Sequence, residues 1–287
     1  MIAKKLYAPK FSERLAGRGR PLIAAHRGSA GGNIVPNTIA AFTAALRQGA
    51  DMVECDIERT RDGRLVLFHG THERMYLGSE SQISEMTYAE TVAFKYFNSN
   101  DNSNGQSVED MEDAFRALKG KTLINIDRGW DFWDLIVEGI ERQDMSGQIL
   151  LKSPPRADLL AKLESFPVKY MYMPILRSLD DYRSLSGFDI NLVAAELIFD
   201  SPDSEIVSSD FIGSLKRKGL LVWANSLKLN DTDRICAEFD DDVSIMKGAE
   251  HGWGKLLDMG FDIIQTDWPA LLRAYLEERY SVGAHHG

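Results

Sequence analysis

The most informative segments of this chain lie between residues 25 and 70. They read Ala25-His26-Arg27-Gly28, Pro36-Asn37-Thr38, Glu54-Cys55-Asp56 and His69-Gly70, with spacers between these segments. Glu54 and Asp56 are separated by one residue within the apolar run 52–57, which predicts a central strand on which both carboxylates point to the same face. Neighbouring carboxylates in an apolar setting repel each other unless a cation lies between them. The strand therefore predicts a cation site, and oxygen ligands favour Mg²⁺ or Ca²⁺ over zinc.

Two histidines and one arginine flank this pair of carboxylates. A single histidine is more often structural than catalytic, but His26 and His69 both adjoin a predicted metal site, and imidazole exchanges a proton near neutral pH. The planar guanidinium of Arg27 suits two phosphate oxygens. A cation flanked by two histidines and an arginine indicates a site that cleaves a phosphate ester. We predict His26 as the general base and His69 as the general acid.

The composition is that of an acidic globular chain. The 287 residues are 44% hydrophobic and carry a formal net charge of −10, with a pI of about 5.2. An acidic surface argues against a nucleic-acid partner, whereas an anionic small substrate depends only on the charge inside a cleft. Cys55 and Cys236 indicate no disulfide framework, and Cys55 is expected to face a helix. Residues 1–15 lack an apolar signal region and no run is long enough to span a membrane, so a cytoplasmic location is expected.

Short apolar runs alternate with amphipathic segments along the chain. The predicted strands cover residues 22–25, 52–60, 65–69, 122–127, 148–152, 170–176, 191–199, 220–225 and 261–266. The predicted helices cover residues 38–48, 107–118, 132–142, 157–166, 210–218 and 270–278. This alternation predicts an α/β fold with a parallel sheet, either a (β/α)₈ TIM barrel or a doubly wound open sheet. Residues 70–106 interrupt the pattern and are predicted to form a small insertion after the second strand, across the barrel mouth.

These motifs resemble those of the glycerophosphodiester phosphodiesterase family, which opens with His-Arg-Gly and continues with Pro-Glu-Asn-Thr, Glu-x-Asp and His-Asp. The likeness resumes near the C-terminus. There, Leu221-Val222-Trp223-Ala224-Asn225 resembles the family's penultimate strand, and Gly260-Phe261-Asp262-Ile263-Ile264-Gln265-Thr266-Asp267-Trp268-Pro269 resembles its last. The resemblance spans most of the chain and implies a (β/α)₈ barrel, a phosphodiesterase activity and one divalent cation.

Three positions depart from the family pattern. Val35 precedes Pro36 and no Glu stands between Pro36 and Asn37, while Gly70 replaces the Asp that follows the second histidine. Where the family has Glu-x-Lys, this chain has Asp127-Arg128-Gly129. Asp127 and the His69-Gly70 pair also resemble the sphingomyelinase D-like branch of the same superfamily, in which Asp is the third metal ligand.

In such a barrel the active site lies at the C-terminal ends of the strands, where His26, Glu54, Asp56, Asp127 and Lys152 all fall. Asp127 is predicted to be the third metal ligand beside Glu54 and Asp56, with a helix cap as the alternative. Lys152 is predicted to bind the phosphate in place of the missing family lysine. The alternative for Lys152 is an ordinary surface position at the start of a loop.

Glu196 and Trp223 are predicted to contribute to substrate binding. Glu196 is a charged residue inside an apolar strand, where it either binds substrate hydroxyls or pairs with Lys152. Trp223 lies near the end of the seventh strand, and such a residue is as often part of the core as part of a pocket wall.

The sequence therefore predicts one phosphodiesterase domain over residues 1–287. Its expected reaction is the metal-dependent hydrolysis of a glycerophosphodiester or related sugar phosphodiester, either directly or through a cyclic phosphate. An agrocinopine-type sugar phosphodiester and a lysophospholipid are alternative substrates, and a non-catalytic barrel that binds a phosphorylated ligand is the alternative of another class. Retention of both histidines and all three acids argues against the last of these.

Overall fold

The computed structural model describes residues 5–6, 19–98, 100–230 and 232–281, and eight strands within these ranges form a closed parallel barrel. In chain order the strands are β1 Leu22–Ala25, β2 Met52–Arg59, β3 Leu123–Asp127, β4 Ile149–Ser153, β5 Met171–Leu176, β6 Ala194–Leu197, β7 Leu221–Asn225 and β8 Ile263–Thr266. Each strand pairs in parallel with the next, and β8 pairs with β1, which closes the ring. The prediction of a (β/α)₈ barrel is confirmed.

Helices follow the strands and pack around the barrel. They are α1 Ile39–Arg47, α2 Met111–Leu118, α3 Trp133–Gln143, α4 Ala157–Ser165, α5 Leu179–Arg183, α6 Ser209–Arg217, α7 Trp253–Met259 and α8 Pro269–Ser281, with an extra helix Asp241–Met246 before α7. The Thr38 hydroxyl accepts a hydrogen bond from the Ala41 N–H at 3.1 Å, which caps the start of α1. No helix in the described ranges is long and apolar enough to cross a membrane. The prediction that no signal peptide is present rests on residues 1–15, most of which lie outside the described ranges.

Successive side chains of each barrel strand point outward and inward in turn, and they form two separate apolar clusters. Outward-facing residues such as Val53 and Ile124 pack against the helices, and Cys55 belongs to this cluster as predicted. Inward-facing residues such as Met52, Leu123 and Trp223 fill the N-terminal half of the barrel interior. The C-terminal half of the interior is left to polar side chains, so the fold opens at the end of the barrel where catalytic groups gather.

The predicted insertion follows β2. A short strand, Leu65–Leu67, pairs antiparallel with β2 and with Glu109–Asp110. Between these two short strands lie the helices Glu73–Leu77 and Tyr88–Ala93, and a 3₁₀ turn at Ile83–Glu85. Apolar side chains of this region form a satellite core together with Val35 of the loop after β1; its other buried members are Val66, Phe68, Leu77, Ile83, Met86, Tyr96 and Val108.

Several predicted elements differ in extent. The helix expected over 107–118 begins only at Met111, because Asp110 caps it by accepting from the Glu112 N–H at 2.8 Å and Glu109–Asp110 is a strand. The strand expected over 191–199 is two short strands, Asn191–Leu192 and Ala194–Leu197, of which the first pairs only with β5. Helix α5 was not predicted, and neither were Asp241–Met246 and α7.

Candidate active site

Three carboxylates converge at the C-terminal end of the barrel. Glu54 and Asp56 point inward from β2, and Asp127 ends the neighbouring strand β3, directly opposite Asp56 in the register. One oxygen from each of the three carboxylates lies within 4.8 Å of the others. Glu54 and Asp56 are buried and Asp127 is partly exposed at the mouth. The structure thus brings together the three residues predicted as metal ligands.

Asp56 is held from two sides. The Asn37 Nδ2 donates to Asp56 Oδ2 at 2.9 Å, and the Asp56 backbone N–H donates to Asn37 Oδ1 at 3.0 Å. Arg27 Nε lies 2.8 Å from the same Oδ2. Burial alone would raise the pKa of Asp56, but the charges of Arg27 and His69 together with the Asn37 hydrogen bond lower it below its ordinary value. Asp56 is therefore ionised and oriented before any ligand arrives.

The loop that supplies Arg27 and Asn37 has an unusual backbone. Both residues adopt left-handed conformations, with φ of 54° and 57°, and the Asn37 N–H donates to the Arg27 carbonyl at 2.9 Å. The Arg27 N–H donates to Glu54 Oε2 at 2.9 Å. Non-glycine residues with positive φ are uncommon and gather at functional sites, where surrounding contacts hold them in place. Here the strained turn aims one backbone donor and one guanidinium at the carboxylates.

Glu54 lies where a cation would relieve the repulsion between neighbouring carboxylates. Burial and the negative charge of Asp56 raise its pKa to about 7, because nothing else at this position fully offsets two adjacent carboxylates. A divalent cation among the three oxygens would remove that repulsion. The donor set consists of carboxylates alone, which matches the preference of Mg²⁺ and Ca²⁺. The residues present therefore fit the ion that the sequence predicted.

Lys152 lies inside the barrel mouth, only 2% exposed. Its Nζ is 2.8 Å from Asp127 Oδ2 and 2.9 Å from Glu196 Oε2. Burial acts to lower the pKa of Lys152, but the charges of Asp127 and Glu196 outweigh it, so that the pKa is raised and the ammonium stays charged. Of the two alternatives for Glu196, the structure shows the ion pair with Lys152.

The two histidines have different surroundings. The Nδ1 of His26 is 2.8 Å from Asp267 Oδ1, and a carboxylate only accepts, so Nδ1 carries the hydrogen and Nε2 is left for proton exchange. Burial acts to lower the pKa of His26, but the hydrogen bond to Asp267 and the charge of Glu54 outweigh burial. The pKa of His26 is therefore raised above that of an ordinary histidine. Asp267 therefore stabilises the protonated form of His26.

His69 has the opposite tendency. Its ring stacks on that of His72, with centroids 4.2 Å apart, and burial together with the charge of Arg27 lowers its pKa despite the attraction of Asp56. Burial and the neighbouring His69 and Arg27 also lower the pKa of His72, to about 4. These directions favour a neutral His69 and a protonated His26, which is the reverse of the order of base and acid predicted from sequence.

A cavity of about 610 Å³ opens beside this cluster, and we call it the catalytic cavity. Its lining residues include His26, Arg27, Asp267 and the half-exposed Trp268. Trp223 is elsewhere: it is fully buried in the apolar interior of the barrel and donates from Nε1 to Asn225 Oδ1 at 2.7 Å. Trp223 presents no surface to a ligand and is therefore a core residue. The predicted contact of Trp223 with the substrate is wrong.

Four further residues of the site were given no role from the sequence: Asn37, His72, Asp267 and Tyr76, whose ring lies 5.9 Å from that of His72 and lines the catalytic cavity. The sequence does contain a signal for the polar inner face of the barrel, although this signal does not include these four residues. Met52-x-Glu54, Leu123-x-Asn125, Leu150-x-Lys152, Ala194-x-Glu196 and Ile263-x-Gln265 each pass from an apolar residue to a polar one at a spacing of two. Because alternate residues share a face, each of these pairs marks the level at which the barrel interior becomes polar.

Comparison with known proteins finds family models and relatives that match parts of the chain. The family model described as the glycerophosphoryl diester phosphodiesterase family matches residues 26–131, and a second model, described as a domain of unknown function, matches residues 170–276. A glycerophosphodiester phosphodiesterase from Caldanaerobacter subterraneus subsp. tengcongensis is 30% identical over 113 residues, which are 38% of this chain and 45% of that protein. The lysophospholipase D GDPD1 of Rattus norvegicus is 23% identical over 88% of this chain and 84% of the relative. The chain spans from 28% to 45% of the length of the first three curated relatives it matches.

Solved structures share the fold at low sequence identity. A glycerophosphoryl diester phosphodiesterase from Parabacteroides distasonis aligns with a TM-score of 0.74 at 19% identity, over 97% of this chain and 94% of that one. An Oleispira antarctica phosphodiesterase, solved in complex with the product sn-glycerol-3-phosphate, aligns with a TM-score of 0.63 at 18% identity, over 92% and 98% of the two chains. The family model over residues 26–131, the barrel and the converging motifs make this chain similar to the glycerophosphodiester phosphodiesterase family.

Proposed function

We propose that the protein is a divalent-metal-dependent hydrolase that cleaves a glycerophosphodiester or a related sugar phosphodiester to an alcohol and a phosphomonoester. The observation that carries this proposal is the convergence of three carboxylates within 4.8 Å, beside two histidines of opposite pKa tendency. The names of the relatives, and the glycerol phosphate bound in the Oleispira antarctica structure, support the choice of substrate class.

Glu54, Asp56 and Asp127 would hold one Mg²⁺ or Ca²⁺. Such an ion, when bound, polarises the phosphoryl oxygens and neutralises the charge that develops on them. Asn37 keeps Asp56 oriented through its two hydrogen bonds. Carboxylate ligands are commonly fixed in this way by outer partners, which contribute to metal affinity without touching the ion.

Arg27 and Lys152 contribute positive charge to the phosphate site. A phosphodiester has one negative charge and gains a second as an attacking oxygen bonds to phosphorus. Lys152 is already charged and held by Asp127 and Glu196, so its ammonium needs no reorganisation when the substrate binds. The Arg27 side chain spans Asp56 and His72, with Nη1 3.5 Å from His72 Nδ1, which holds the guanidinium at the edge of the catalytic cavity.

Proton transfer falls to the two histidines. We assign His69 as the base, which takes a proton from water, or from a substrate hydroxyl, while a new bond forms from that oxygen to phosphorus. His26 is the acid: its proton passes to the departing alkoxide as the P–O bond to the alcohol breaks. Asp267 supports this assignment, because it stabilises the protonated imidazole. Attack by a neighbouring hydroxyl gives a cyclic phosphate first, and water attack gives the phosphomonoester directly.

We further propose that residues 1–287 form one domain with its insertion near 70–106, and that it acts in the cytoplasm. The continuous barrel, into which strands from both matched regions are built, supports the single domain. The cytoplasmic location rests on the sequence expectation alone.

A phosphodiester panel tests the proposal. The purified protein is incubated with glycerophosphocholine, glycerophosphoethanolamine, glycerophosphoglycerol and a sugar phosphodiester, in Mg²⁺, in Ca²⁺ or in EDTA, and products are read by ³¹P NMR. We expect a phosphomonoester signal with at least one diester in a divalent ion and none in EDTA. The control is the Glu54→Gln/Asp56→Asn/Asp127→Asn variant. Equal turnover in EDTA, or no turnover of any diester, would overturn the proposal.

A further inference from the structure

The two histidines of the active site are held in different ways. His26 Nδ1 is fixed by Asp267 Oδ1 at 2.8 Å. His69 Nδ1 is buried, and among the residues that the structure describes no partner forms a hydrogen bond with it, although the Gly70 backbone lies beside the ring. A histidine that exchanges a proton through one ring nitrogen is usually oriented by a hydrogen bond at the other. His69 therefore depends on a different kind of contact to hold its ring.

The ring of His72 supplies that contact. It stacks on the ring of His69, with the centroids 4.2 Å apart and the planes 21° from parallel. A rotation of the His69 ring about its bond to Cβ would break this face-to-face contact. The torsion about that bond has no sharp preference of its own in a histidine. The orientation of the His69 ring is thus set by its neighbour.

The turn that brings the two rings together is strained. Thr71 lies between them with a φ of 80°, a left-handed conformation that a β-branched residue adopts only rarely. The His72 N–H donates to the His69 carbonyl at 3.3 Å and closes the turn. Residues in such conformations persist where surrounding contacts hold them, and they gather at functional sites. The folded protein therefore imposes this turn, and the stack of His72 on His69 is its result.

The insertion holds His72 from the other side. His72 is the residue just before the helix Glu73–Leu77, and its ring meets the Tyr76 ring edge-on, with the centroids 5.9 Å apart. Tyr76 in turn packs edge-on against Tyr96, a buried member of the satellite core, with the centroids 6.5 Å apart. A row of aromatic rings thus connects His69 to the core of the insertion.

His72 also contacts the arginine that we propose to bind phosphate. Its Nδ1 lies 3.5 Å from Arg27 Nη1. A guanidinium only donates hydrogen bonds, so Nδ1 of His72 accepts and the ring is neutral. Burial, together with the neighbouring His69 and Arg27, lowers the pKa of His72 to about 4, which agrees with a neutral ring. Such a ring is a poor base at neutral pH, so its contribution is one of position.

Given the proposed function, on which this inference rests, we infer that His72 is a positioning residue for two groups of the site. Its ring holds the imidazole of the base, His69, in place. Its Nδ1 holds the guanidinium of Arg27 at the phosphate site. The insertion therefore contributes to the reaction by fixing groups of the barrel mouth.

Three substitutions of His72 separate the two contacts. His72→Phe keeps a flat ring and loses the nitrogen that accepts from Arg27. His72→Asn keeps an acceptor and loses the ring, and asparagine is favoured at the position before a helix. His72→Leu loses both contacts. The matched control is His251→Leu, because His251 is an exposed histidine at the end of the 3₁₀ turn Ala249–His251 and does not line the catalytic cavity.

The assay measures kcat and KM in Mg²⁺ for the diester of the phosphodiester panel that the wild type cleaves fastest, with circular dichroism to show that each variant is folded. His72→Leu and His72→Asn should lower kcat by about 10–100-fold, since misplacing a reacting group by about 1 Å can cost 10²-fold. His72→Phe should keep kcat within about threefold and raise KM by roughly fivefold, the worth of one hydrogen bond. His251→Leu should change neither constant.

A second readout needs no substrate. In protein with ¹³C-labelled histidines, the ring current of His72 displaces the NMR signals of the His69 ring protons. His72→Leu should move these signals, whereas His72→Phe should leave them displaced in the same direction. His69 signals that are the same in His72→Leu as in the wild type would overturn the stack and the role built on it.

The kinetic outcomes distinguish this inference from the proposed function. Turnover by the wild type with an unchanged kcat in His72→Leu, or a kcat in His72→Phe no higher than in His72→Asn, overturns the positioning role and leaves the phosphodiesterase intact. No turnover of any diester by the wild type overturns the proposed reaction, and the role of His72 in it. A kcat that the phenylalanine ring retains and that leucine and asparagine lose supports both.

Discussion

Replacing Lys152 by methionine perturbs a buried cation that joins β3 and β6 at the barrel mouth. The substitution keeps the length of the side chain and removes its charge. Lys152 contacts Asp127 at 2.8 Å and Glu196 at 2.9 Å, and the side chains of Lys152 and Glu196 are 2% and 3% exposed. Glu196 would therefore be left as a buried carboxylate without its partner.

The size of the effect follows from that burial. Removing one partner of a buried ion pair costs about 3–5 kcal/mol, because the remaining charge is neither solvated nor neutralised. For a chain of this size the loss corresponds to a fall in Tm of roughly 6–20 °C. The double variant Lys152→Met/Glu196→Gln should recover much of this loss, because the unpaired charge is gone.

The assay is chemical denaturation in EDTA, followed by circular dichroism, for the wild type, the single variant and the double variant. Lys216→Met serves as the control. Lys216 lies 2.9 Å from Asp262, but these side chains are 39% and 23% exposed, so we expect a change within about 1 kcal/mol. A loss below 1 kcal/mol in Lys152→Met, or a double variant no more stable than the single one, would refute the reasoning.

Three further predictions concern the site. Asn37→Ala should weaken Mg²⁺ or Ca²⁺ binding by roughly 10–100-fold in calorimetry, as expected for loss of a partner that orients Asp56, and unchanged affinity would contradict this. His26→Ala and His69→Ala should each lower kcat by about 10²–10⁴-fold with little change in Tm, and near-normal turnover would remove that residue from the mechanism. Asp267→Asn should lower the pKa of His26 in an NMR titration. Because the acid must be protonated, the basic limb of kcat/KM should then move to lower pH, whereas a shifted acidic limb would make His26 the base.

The barrel could be predicted because its strands are short, buried and separated by amphipathic helices. The predicted strand 22–25 agrees with the observed Leu22–Ala25, and the other barrel strands fall on the predicted ones within a few residues. The elements that were missed have weak local signals. Leu179–Arg183 has five residues and Asp241–Met246 has six, too few turns for helical periodicity to show, so their caps and tertiary contacts decide them.

The site was predictable in part. Glu54 and Asp56 are neighbours on one strand, so their shared face follows from the sequence. The contact of His26 with Asp267 joins residues 241 positions apart, and it exists only because β8 pairs with β1 to close the barrel. Whether Glu196 faces Lys152 likewise depends on the shape of the barrel mouth and on side-chain reach.

We propose above that Glu54, Asp56 and Asp127 bind one divalent cation. Crystals grown with Mn²⁺ in place of Mg²⁺ test it most directly, through the anomalous scattering of manganese. We expect a single strong anomalous peak bounded by these three carboxylates, at roughly 2.0–2.6 Å from their oxygens, and its loss in Asp127→Asn crystals. A peak bound elsewhere, or none at saturating Mn²⁺ with all three carboxylates ordered, would contradict it.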